Sequence, residues 1–67
     1  MSNSAVVGLL YEAHKVGVDI EKLAERVSAG LMGGEIYAPP GVEQKPQAVD
    51  SVKSAMKETL KLIEIKA

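Results

Sequence analysis

The sequence predicts an all-α fold: a small three-helix bundle in a single domain spanning residues 1–67, built from a short helical hairpin, a long proline-containing crossover and a longer C-terminal helix. Two observations carry this reading. Apolar residues recur at intervals of three and four along three separate stretches, the spacing that places them on one face of a helix. Between those stretches stand Gly17, the Gly33-Gly34 pair and Pro39-Pro40-Gly41, residues that end helices or turn the chain.

The first helix is expected to begin at Ser2 or Ser4, whose hydroxyls are suited to capping the free amides of a first turn. Val6, Leu9, Leu10, Ala13 and Val16 then make its apolar face. Gly8 interrupts this face and weakens the helix by roughly 1 kcal/mol relative to alanine. In "KVGVD", Gly17 supplies the left-handed residue of a helix end, Val18 folds back on the last turn, and Asp19 caps the next helix. That second helix runs from Ile20 to about Met32. Ile20, Leu23, Ala24, Val27 and Leu31 face inward, and Glu21, Lys22, Glu25 and Arg26 face water. The short link makes the two helices antiparallel neighbours.

"LMGGEIYAPPGVEQKPQ" cannot continue the helix. Gly33 to Gln47 is a long connection where about 2–8 residues is usual between helices. Residues before proline are driven out of the helical region, so Ala38-Pro39-Pro40 is extended, and Pro40-Gly41 turns. Ile36, Tyr37 and Val42 make the stretch too apolar for a free linker. It is read as a structured crossover pinned to the core, with a contact arm for another chain as the alternative. The third helix is expected from about Ala48 to Ile65, with Pro46 leading into its first turn. Its stripe is Val49, Val52, Met56, Leu60 and Ile63, flanked by Ala55 and Leu62. Thr59 and Lys66 stand at the alternate seam positions and argue against a sustained coiled coil.

Size bears on function. A chain of 67 residues gains only about 3–5 kcal/mol from its core unless something else supports it. Cysteine is absent, Phe and Trp are absent, and the aromatic residues are Tyr11 and Tyr37 alone, so neither disulfides nor large rings supply the deficit. Self-association is therefore expected, most simply as a homodimer. The predicted interface is Val52, Met56, Leu60 and Ile63 of the third helix, joined by Ile36 and Tyr37 of the crossover, with a larger protein as a further partner.

Other classes are disfavoured by what the sequence lacks. The one histidine, His14, has no thiolates and no Glu-x-x-His spacing beside it, so no metal is expected. No thiol nucleophile or glycine-rich phosphate loop before a helix is present, and no paired carboxylates suggest acid–base work. Neither catalytic residues nor a cofactor are predicted, and an enzyme is not expected. No apolar run approaches the roughly 20 residues of a membrane span. With a net charge of −1, the chain reads as soluble and cytoplasmic.

Nucleic-acid binding is the alternative function. Lys53, Lys57 and Lys61 form a row at four-residue intervals that could follow a phosphate backbone, although Asp50 and Glu64 stand close enough to pair with it. "DIEKLAERVSAG", Asp19 to Gly30, resembles the first helix of a helix-turn-helix motif over about twelve residues. The resemblance implies that a recognition helix should follow. Leu31-Met32-Gly33-Gly34 leads instead into Ala38-Pro39-Pro40-Gly41, which cannot form one. In the alternative register Ile20 to Leu31 is the recognition helix, with Glu21 and Glu25 turned toward phosphate. The primary expectation is a small non-enzymatic interaction or assembly module.

Overall fold

A computed structural model describes residues 3–66, which form three helices: α1 (Ser4–Lys15), α2 (Ile20–Gly33) and α3 (Gln44–Lys66). The Cα envelope measures 38 × 24 × 14 Å. Its long axis matches the roughly 35 Å of a 23-residue helix. Its short axis is little more than the 8–10 Å between two packed helix axes, so the domain is a plate.

The helix ends follow from local chemistry. At the start of α1, Asn3 holds the cap position without a side-chain capping bond, and Ser4 is already the first helical residue. Ser2 lies outside the described residues. The α1 end is a Schellman motif: Gly17 is left-handed at φ 90°, its amide donates to the His14 carbonyl at 3.0 Å, and the Val18 amide donates to Ala13 at 3.0 Å. Two residues later the Asp19 carboxylate accepts from the Lys22 amide at 3.1 Å and opens α2. Gly30 does not end α2; the helix continues to Gly33, where Gly34 turns left-handed at φ 82°.

The crossover is shorter than the sequence suggests, because α3 begins at Gln44 rather than Ala48. Gly41 and Gln44 explain the early start. The Gly41 amide donates to the Gln44 side-chain oxygen at 3.2 Å, and the Gln44 amide donates back to the Gly41 carbonyl at 3.1 Å. The two bonds close a turn over Gly41–Gln44 that delivers the chain into the helix. Pro46 then sits in the first turn, where its missing N–H has no partner to lose.

The long helix is the centre of the fold. α3 packs along both α1 and α2, while α1 and α2 scarcely meet each other despite the tight turn between them. Leu10, Ile20 and Ala55, one from each helix, make the buried cluster, with Val7, Ala13, Met56 and Ile63 packed around it; Leu31 is buried further along α2. The buried seam of α3 is thus rotated from its widest apolar residues onto Ala55 and Thr59, both wholly enclosed. Small side chains there let two helices approach one at the same level. On α1 the inward face is likewise Val7, Leu10 and Ala13, leaving Leu9 and Val16 in water.

The expectation that the crossover completes the core is not met. Ile36 is 98% exposed and Val42 81%, and Tyr37 is half in water. The connection folds by its own turns, the Ala38 amide donating to the Glu35 carbonyl at 2.8 Å, instead of crossing a helix face. Tyr37 does touch the body of the fold. It lies against Gly30, where a Cβ would collide with its hydroxyl and ring.

Candidate interaction surface

Because α3 runs between two helices that do not cover it, a groove opens on each side. The α1–α3 groove, about 880 Å³, has Val7, Gly8, Leu9 and Leu62 among its lining residues and carries Glu12 and Glu58 at its edge. Beside Gly8, among the described residues and apart from its chain neighbours and the helix's own backbone, nothing lies within 4 Å of where a Cβ would stand. The α2–α3 groove is smaller, about 560 Å³, and differs in kind. Ala24, Val52, Met56 and Leu60 provide its apolar floor. Glu21 and Glu25 on α2 form one rim, and Lys53 and Lys57 on α3 form the other.

These rim residues are placed by helical spacing. Glu21 and Glu25 are one turn apart on the outer side of α2, as Lys53 and Lys57 are on α3, so each rim is a row parallel to its helix axis. All four are exposed. None is neutralised inside the protein: among the described residues the one ion pair is Lys15 with Glu12, at 3.3 Å and well exposed. Asp50 and Glu64 accordingly leave the lysine row unpaired.

Three of the predicted interface residues, Val52, Met56 and Leu60, come together in the α2–α3 groove. Ile63 does not join them; it packs against the central cluster and borders a shallow depression with Tyr11, His14, Lys15 and Lys66. Ile36 and Tyr37 stand on the crossover and contribute nothing to the groove lining. Lys61 is exposed and also outside that lining. His14 is exposed in the last turn of α1, favourably near the negative helix end. No group of three His, Asp or Glu side chains capable of holding a metal ion occurs among the described residues. No helix among them is long and apolar enough to cross a membrane.

Sequence reasoning missed the acidic rim. Glu21 and Glu25 read as a solvated face of α2, and their relation to Lys53 and Lys57 emerges only when α3 is laid beside α2. The four-residue spacing shared by the two pairs was the available signal. The arrangement has no reacting group at its floor, and what it can do is bind an apolar ridge flanked by charge. The class it defines is a small three-helix domain with an amphipathic, two-signed groove. Comparison with protein-family models, curated proteins and solved structures gives no match.

Proposed function

We propose that the protein is a small non-enzymatic interaction module that assembles with itself and, in that form, presents its helix faces to a partner protein. The observation that carries this reading is an excess of surface. The domain exposes 5060 Å². Folded monomers of this mass expose roughly 4,100 Å² by the usual scaling. The surplus of about 1,000 Å² is close to the ~800 Å² that each partner contributes to an interface of standard size. Leu9, Leu60 and Leu62 stand exposed beside the grooves. A closed twofold dimer is the simplest assembly that would bury the surplus. Nucleic-acid binding through Lys53, Lys57 and Lys61 is the weaker reading, since Glu21 and Glu25 stand opposite two of these lysines and would repel phosphate.

The test is molar mass by light scattering across a wide concentration range, with Leu60→Glu measured alongside. Leu60 is 42% exposed and outside the central cluster, and circular dichroism of the variant reads whether the fold is kept. The expected result is a multiple of the 7.1 kDa chain mass for the wild type and a single-chain mass for L60E at unchanged helix content. A wild type that stays at one chain mass throughout would sink the reading.

A further inference from the structure

We infer that the α2–α3 groove is the seat of a second copy of this chain, laid face to face with α2 of each copy over α3 of the other. The inference rests on the self-assembly reading above and adds to it the surface and the orientation. Ala24, Val52, Met56 and Leu60 floor the groove, and two such floors laid over one another would close into one shared apolar core between four helices. The choice of a second copy as occupant comes from the rims. One is acidic, one is basic, both follow helix axes, and neither is paired among the described residues.

Two twofold arrangements bring such a face onto itself. With the dyad in the interface plane and across the helices, α2 meets α2 and α3 meets α3. Glu21 and Glu25 then confront their own copies, and so do Lys53 and Lys57. With the dyad along the helices, α2 of one copy lies over α3 of the other. Each carboxylate row then faces the ammonium row of the partner subunit, twice by symmetry. Like charges brought together at an interface oppose binding and opposite charges fix its register, so the second arrangement is selected. Contact lies well inside the ~8 Å screening length of physiological salt, so the selection persists there. The apolar floor supplies the affinity, and the charges decide which way round the two copies sit.

The experiment reverses one rim at a time in the full chain. Glu21→Lys with Glu25→Lys gives two basic rims, and Lys53→Glu with Lys57→Glu gives two acidic rims. All four positions are exposed, and circular dichroism verifies that helix content is kept. Each variant alone is expected to dissociate with a constant raised about tenfold or more, as like-charge rows replace complementary ones. An equimolar mixture of the two is expected to regain the wild-type dissociation constant, because each basic rim then meets an acidic one on the other chain. If both variants assemble as the wild type does, the groove inference is overturned while self-assembly stands. A mixture no stronger than its components means the charges act within one chain and overturns it too. A mixture much tighter than wild type indicates the crossed dyad and overturns the orientation. A wild type that is monomeric at every concentration removes both readings together.

Discussion

Thr59 donates its hydroxyl to the carbonyl of Ala55 one turn earlier, at 2.7 Å, and both residues are wholly enclosed where α3 meets its two neighbours. The bond satisfies the buried hydroxyl locally, and no buried side-chain polar atom among the described residues lacks a partner. The seam therefore tolerates a polar residue for the sake of its size. Ala55→Leu is expected to destabilise by about 1–3 kcal/mol, since added methylenes have no space at a three-helix contact. That is a large part of the ~3–5 kcal/mol available to such a chain. Thr59→Val keeps the shape and leaves the Ala55 carbonyl its ordinary helix bond, so a change within about 1 kcal/mol is expected. Urea midpoints of the two variants would separate size from polarity; equal losses would refute the steric account.

Gly30 and Tyr37 should behave as a coupled pair. In an open helix Gly→Ala gains about 1 kcal/mol. Here the new methyl meets the tyrosine hydroxyl and ring, which must swing into water. Gly30→Ala alone should gain less than the open-helix value or lose stability, and the full gain should return in a Tyr37→Ala background. A double-mutant cycle measures the difference. Strict additivity would mean that the ring does not rest on Gly30.

The α1–α2 turn depends on two local devices that can be removed separately. Asp19→Ala deletes the carboxylate that accepts from Lys22 and should cost about 1 kcal/mol. Gly17→Ala forces a Cβ onto a residue at φ 90°, and should also cost about 1 kcal/mol. Thermal unfolding of the single and double variants reads both. Retention of the wild-type midpoint by either one would argue against its capping role.

The crossover gives the opposite expectation. Ile36→Ser and Val42→Ser should leave stability within about 0.5 kcal/mol of wild type, because neither side chain loses contact with water on folding. A loss above about 1 kcal/mol in either would show that the segment covers the core after all.

What was legible in the sequence was whatever depends on neighbours in the chain. Gly17, Asp19 and Gly34 act within a single turn, so the ends of α1 and α2 and the start of α2 could be read from types and spacing. The early start of α3 was less visible, because the turn closed between Gly41 and Gln44 carries no serine, threonine, aspartate or asparagine of the kind that usually marks a helix start. The buried seam was not legible for a different reason. Periodicity locates the widest apolar stripe, Val49 to Ile63, but a helix held between two others turns its narrowest side to them, and Ala55 with Thr59 is that side. The interface prediction was divided by the same rotation: Val52, Met56 and Leu60 line the groove on the α2 side, Met56 also packing on the central cluster, whereas Ile63 packs on that cluster and lies outside the groove. Ile36 and Tyr37 were chosen for hydrophobicity alone, and a segment folded on its own turns can keep such residues in water.

The central position of α3 also bears on how the domain comes into being. α1 and α2 hardly touch, and the Ala55 that joins Leu10 and Ile20 is made only after both have left the site of synthesis. A nascent chain that stops short of α3 thus holds two amphipathic helices with no surface to close on, each marginal by itself at 12 and 14 residues. Without α3, the apolar faces of α1 and α2 have little to pack on but water.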